Sequence, residues 1–121
     1  MTMARQVLGK TGEDLAVAEV GRRGYAVLAR RYRTRHGEID IVARDGDTVV
    51  FVEVKVRTTA ERGTAAEAVT PAKQRRLVRM AEDYLVRCGG SSGRCRFDVA
   101  AIDGEGPAQR LTWYRDAFRP G

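Results

Sequence analysis

Two acids and a lysine are set into segments that otherwise read as apolar strands. Gly37-Glu38-Ile39-Asp40-Ile41-Val42 is followed, eleven residues after Asp40, by Phe51-Val52-Glu53-Val54-Lys55-Val56-Arg57. Ionised side chains are seldom placed in runs this apolar unless something pairs with them. Asp45-Gly46-Asp47 between the runs is a turn signal, so the two read as an antiparallel hairpin. Carboxylates gathered in this way can hold a hard divalent cation that keeps waters for a phosphate to displace. Lys55 could steady both the acids and an attacking water.

The register of the hairpin decides whether these residues meet, because side chains alternate faces with period two and opposed residues share a face. With a loop of Gly46-Asp47, or the four residues centred there, Asp40 faces Glu53 and Glu38 faces Lys55. A loop of Asp45-Gly46 sets Glu38 against Glu53 but keeps Asp40, Glu53 and Lys55 on one face. A three-residue loop mixes charged with apolar faces and is discarded unless a bulge restores the parity. Opposed carboxylates about 5 Å apart repel by roughly 3 kcal/mol at an effective dielectric near 20. Mg²⁺ would offset that, taking one or two carboxylates. The plainer alternative is a salt-bridged ladder on a solvated sheet face, with Lys55 merely neutralising Glu53.

Composition limits the setting. At 121 residues with 43% apolar content the chain reads as a single domain, 1–121, able to bury one core. No signal-like run and no stretch of 18 apolar residues is present, so the expectation is a soluble cytoplasmic protein with no membrane segment. Cys88 and Cys95 read as free thiols in a reducing compartment, and His36 as the sole histidine leaves too few soft ligands for a zinc site. His36 reads as a loop residue close enough to the acids to be a candidate substrate contact. The net charge of +6 is unevenly spread: +5 over residues 1–36, −3 over 37–70, +5 over 71–96 and −1 over the remainder. An acidic centre between basic flanks suits a metal site in a groove that holds a polyanion, nucleic acid above all.

The elements that must position the site follow from period and punctuation. Thr11 is a candidate N-cap, and a helix is expected from Gly12 to about Arg23, stopping at Gly24. Its inner stripe is Glu13, Ala16, Val17 and Val20, so Glu13 points towards the sheet as a candidate third acid, although a first-turn acid also suits the helix dipole. A strand around Ala26–Ala29 leads into the basic run Arg30 to Arg35, in which Tyr32 is expected to pack under a strand. Thr70-Pro71 and Gly89-Gly90 bracket a second helix with Leu77, Val78, Ala81, Tyr84 and Leu85 inside. Lys73, Arg75, Arg76 and Arg79 cluster in its first half, where positive charge opposes the macrodipole and a phosphate partner would explain it. Strands are expected at Arg96–Ile102 and near Arg110–Tyr114. Asp98 is expected to support the sheet or pair with an arginine, and Trp113, Tyr114 and Phe118 to close the core. The order describes an α/β sandwich with a mixed sheet.

Gly12-Glu13…Ala16, Gly24-Tyr25, Gly37-Glu38-Ile39-Asp40, Phe51 to Arg57, Ala68-Val69…Lys73 and Arg96-Phe97-Asp98-Val99 together resemble the YraN family over nearly the whole chain. The resemblance implies a restriction-endonuclease-like three-layer sandwich with a mixed central sheet. The set Glu13, Asp40, Glu53, Lys55 is also similar to that of archaeal Holliday-junction resolvases, which are dimeric. By resemblance Asp40, Glu53 and the Val54 carbonyl would hold Mg²⁺ (or Mn²⁺), Glu13 would complete the site directly or through water, and Lys55 would orient the nucleophilic water. Lys73, Gln74 and Arg76 would lie towards DNA, with Arg79 of the same cluster beside them. Ile39 replaces the proline of the superfamily motif, which contributes no ligand, and Arg31 stands where the family often has asparagine. The expected function is a Mg²⁺-dependent endonuclease cutting structured or branched DNA in repair or recombination, a homodimer if it makes two symmetric cuts. Its rivals are a nucleic-acid-binding module with little intrinsic nuclease activity, and a structural subunit of a DNA-processing complex.

Overall fold

Gly46, at φ +58°, turns the chain between Asp45 and Thr48, a conformation that favours glycine. The computed structural model describes residues 12–58, 63–89 and 93–120. The proposed Thr11 cap and the Gly90–Ser92 part of the linker lie outside those residues. The elements are α1 (Gly12–Arg22), β1 (Ala26–Thr34), β2 (Gly37–Asp45), β3 (Thr48–Arg57), α2 (Pro71–Cys88), β4 (Cys95–Asp103) and β5 (Arg110–Phe118), with short 3-10 turns at Ala66–Ala68 and Gly106–Ala108. The sheet order is β1-β2-β3-β4-β5. Only β3 and β4 run parallel, because α2 carries the chain across between them, so the sheet is mixed.

β3 is apolar without interruption from Val49 to Val52 because it is covered on both faces. Val50 and Val52 join Ile41, Ala43 and Ala100 under Ala16 and Val20 of α1. Val49 and Phe51 join Ile39, Val42 and Phe97 under Leu77, Met80, Ala81 and Tyr84 of α2. Two helices on opposite faces of one sheet make three layers, the restriction-endonuclease-like arrangement. Thr70 caps α2, its Oγ1 accepting the Lys73 N–H at 3.3 Å, and Gly89 ends it at φ +76° with its N–H donated to the Leu85 carbonyl.

The basic run is part of β1, which extends to Thr34 instead of ending at Ala29. β1 is an edge strand, and its arginines reach water or acids without entering the core. Tyr32 meets the Tyr84 ring edge-on at 5.1 Å, as expected of a packing residue. Asp98 supports the sheet: fully buried, it accepts from Arg96 Nε (3.0 Å), Trp113 Nε1 (2.9 Å) and the Asp116 N–H (2.9 Å). Trp113 and Phe118 pack inward as expected, whereas Tyr114 is left exposed on the outer strand. Cys88 and Cys95 are free thiols.

Candidate active site

β2 and β3 pair from Asp45–Thr48 to Ile41–Val52, the register that places Asp40 and Glu53 next in line. Pairing stops there. Asp40 Oδ2 accepts the Val54 N–H at 2.8 Å, taking the place a backbone carbonyl of β2 would hold in a continuing ladder. A carboxylate is thus inserted between two parting strands. Two features accompany the opening. Ile41 faces α1, yet Ile39 faces α2, so alternation breaks at Asp40. Opposite, Arg30 pairs with Ile41 and Tyr32 with Ile39, leaving Arg31 between them at φ +53°.

Glu53 follows Phe51 on the α2 face and lies beside Asp40. Burial, and then the Asp40 charge, push its carboxyl up to about 7 against the pull of Lys55 and Lys73. Burial also raises Asp40, opposed by the hydrogen bond from Val54. The two carboxyls therefore share a proton at neutral pH far more readily than free acids would. Lys55 Nζ stands 3.7 Å from Glu53 Oε2, and both side chains are largely buried. Lys73, from the first turn of α2, reaches the same place: its ammonium is held below the usual lysine range by the Lys55 amine, then by burial. Two acids and a lysine from the hairpin, joined by a second lysine from the first turn of α2, form the cluster.

Glu13 is not gathered with the acids. It lies on the inner stripe of α1, near enough for its charge to raise Asp40, but both its oxygens are taken: Oε1 by Arg30 at 2.7 Å and Oε2 by Arg31 at 3.1 Å. Among the described residues, no three His, Cys, Asp or Glu side chains group closely enough to hold a metal. Glu38 does not meet Lys55, because the ladder has ended, and pairs with Arg33 instead. Gln74 turns away from the lysines and donates to the Val69 carbonyl at 3.1 Å. Arg76 and Arg79 are exposed on α2. His36 sits in the β1–β2 turn beside Arg79 and Asp83, its N–H donated to Thr34 Oγ1. A cleft of about 770 Å³ lies elsewhere, lined by Thr48, Arg96, Arg115 and Asp116 at the opposite end of β3, and its Arg96 and Arg119 are held by Asp98 and Asp116. Lys55 stands beside Glu53 as its parity predicts, whereas Lys73 joining it there was not foreseen from sequence, since nothing in the spacing of residues 55 and 73 links a strand to a helix start.

The donor set suits a hard divalent cation. Two carboxylates whose burial and closeness disfavour their charged forms are a pair whose repulsion such an ion would relieve, and oxygen is the donor it prefers.

A mixed sheet between two helices, with acids and lysines where its central strands part, defines a restriction-endonuclease-like α/β protein. The chain belongs to the family described as "Uncharacterised protein family UPF0102", whose model matches residues 12–102; this is the family to which the YraN resemblance points. It is 52% identical over 114 residues to a UPF0102 protein of Ralstonia nicotianae, covering 91% of this chain and 85% of that one. It is 50% identical to one of Symbiobacterium thermophilum (90% and 91% covered) and 42% identical to one of Pelotomaculum thermopropionicum (98% and 100%). Among the described residues no helix is long and apolar enough to cross a membrane.

Proposed function

We propose that this protein is a Mg²⁺-dependent endonuclease that cuts structured or branched DNA in repair or recombination. The observation that carries the reading is the insertion of Asp40 between β2 and β3, against Glu53 and within reach of Lys55 and Lys73. A ladder built only for stability has no reason to end on two carboxylates that repel each other. Asp40 and Glu53 would hold the cation, with the Val54 carbonyl as a further oxygen and Glu13 joining once released from its arginines. When bound, the cation would cancel the carboxylate charge and polarise the phosphate. Lys55 would orient the attacking water, and Lys73 would sit against the negative charge that builds on the phosphate. Water adds across one P–O ester bond, leaving a phosphomonoester end and a hydroxyl end. Arg76 and Arg79, exposed and without a carboxylate partner among the described residues, would hold flanking phosphates.

The test is purified protein with Mn²⁺ or Mg²⁺ against duplex, single-stranded, flap and four-way-junction DNA, with Glu53→Gln as the control. Metal-dependent cleavage by wild type and none by Glu53→Gln supports the reading. Cleavage that survives in Glu53→Gln refutes the assignment of the site.

One observation favours a second reading, a nucleic-acid-binding module with little turnover: Glu13 is clasped by Arg30 and Arg31, leaving two acids where three are expected. DNA that is bound but never cut, at any metal concentration, would select it.

A further inference from the structure

Arg57 ends β3 on the face that carries Glu53 and Lys55, about 7 Å along the strand from Lys55 and about 13 Å from Glu53. The other described arginines either pair with a carboxylate, as Arg30 and Arg96 do, or stand exposed, as Arg76 and Arg79 do. Arg57 does neither. It is half-buried, its Nε is shut off from water, and that Nε has no hydrogen-bond partner. The carboxylate best placed to take it is Asp103, its register partner on β4, but Asp103 Oδ1 accepts the Ala65 N–H at 2.8 Å instead. The Arg57 carbonyl is likewise committed, to the Gly104 N–H, so the strand end is fixed while the Nε of its guanidinium is left unsatisfied.

A buried donor without a partner is rare and costly, and it calls for a ligand or a role. A guanidinium presents a planar fork that matches two oxygens of a phosphate. We infer that Arg57 is a phosphate-binding residue, seating a backbone phosphate next to the one that lies at Asp40 and Glu53. The inference rests on the nuclease reading and extends the groove along β3, past the lysines, to the strand end.

The experiment measures binding of a synthetic four-way DNA junction and of a single-stranded oligonucleotide, in a Glu53→Gln background so that nothing is cut, with and without Arg57→Gln. Affinity should fall about tenfold, and the slope of log affinity against log salt should drop by about one. Methylphosphonate substitution, one phosphate at a time, should weaken the parent at a position beside the cleavage point and leave the Arg57→Gln protein indifferent there. Loss of packing alone would not produce that position-specific indifference. Arg57→Met, which keeps the aliphatic stem, gives the same reading if Arg57→Gln does not fold, as judged by thermal melts. Equal affinity, salt slope and methylphosphonate profile with and without Arg57 overturn this inference alone. If the parent binds neither probe, the nuclease reading falls and takes this inference with it.

Discussion

Replacing Glu53 by glutamine should make the metal-free protein more stable at alkaline pH and nearly unchanged at acidic pH. The glutamine keeps the shape of the side chain and removes its charge, so it reads the cost of holding that charge buried beside Asp40. The Glu53 carboxyl is raised from 4.5 to about 7 in the fold, first by burial and then by Asp40. Below about pH 4.5 it is protonated in folded and unfolded chains alike, and the charge costs nothing. Between that pH and about 7 the unfolded chain gives up the proton while the folded one keeps it, so stability falls as pH rises. Above about pH 7 the full penalty applies. At about 1.4 kcal/mol per unit the penalty is on the order of 3 kcal/mol, or roughly 10 °C in melting temperature for a domain of this size. Thermal or urea melts in EDTA at about pH 5 and about pH 8.5, wild type against Glu53→Gln, read it directly, because titrations away from the cluster cancel in the difference. The variant should gain on wild type as pH rises. A difference that is the same at both pH values, or that shrinks as pH rises, would show that neither burial nor Asp40 disfavours the Glu53 charge in the fold.

The remaining expectations address the same groups and the frame around them. Millimolar Mn²⁺ at pH 8 should raise the wild-type melting temperature above its value in EDTA and leave Glu53→Gln almost unmoved; identical wild-type melts, with no heat of binding by calorimetry, would remove the metal. Asp98→Ala strips a fully buried acceptor from Arg96, Trp113 and the Asp116 N–H and should cost about 3 kcal/mol in urea denaturation, the low end for a broken buried pair because Asp45 still holds Arg96 at 2.7 Å. A loss well under 1 kcal/mol would mean that water replaces the network. At Arg31, φ +53°, asparagine should be as stable as arginine or up to about 1 kcal/mol more so, having traded an exposed ion pair for an easier backbone, whereas Arg31→Val should lose about 1–2 kcal/mol. Equal stability of the asparagine and valine variants would remove backbone strain from the account.

How much of this was legible in the sequence depends on the distance over which each feature is decided. The parity of the hairpin was readable because only a loop of even length around Gly46 keeps Asp40, Glu53 and Lys55 on one face; of the two even registers left open, the structure has the one with Asp45 opposite Thr48. Both limits of α2 were readable because Thr70-Pro71 and Gly89 act within one turn of the chain. The length of β1 was not, since Arg30, Arg31 and Arg33 look like loop until the sheet order shows that they line an open edge. Glu13 was correctly placed on the inner stripe of α1, but its partners lie 17 and 18 residues away and belong to that unread strand. Gln74 is a different case. At about 100° per residue it lies a quarter turn from Lys73 on α2, so its departure from the lysines was available from the helix period alone. Arg31 at positive φ was not read from the sequence, although the asparagine that the resemblance leads one to expect there tolerates that conformation better than most residues other than glycine.

The opening between β2 and β3 is what no short-range pattern could supply, and the candidate chemistry depends on it. Up to Val52 the central strand is enclosed by both helices and its backbone is satisfied by β2 and β4. Past Val52 it keeps β4 and loses β2, so the Val54 N–H needs another acceptor or carries the cost of an unmade bond. Asp40 supplies that acceptor, and the same hydrogen bond that repairs the ladder draws a carboxylate into a place shielded from water. Glu53 must be on the same face by parity with Phe51, and Lys55 by parity with Glu53. The start of α2 then adds Lys73 because Thr70 fixes where that helix begins. The acids are therefore brought together by the requirement that a parting strand satisfy its backbone, and the lysines moderate the repulsion without removing it. A site assembled for stability alone would be expected to end on a neutral acceptor such as asparagine, which would take the Val54 N–H equally well and leave Glu53 without a charged neighbour. That Asp40 stands there instead is the reason to look for a cation and a phosphate at this point before looking anywhere else on the molecule.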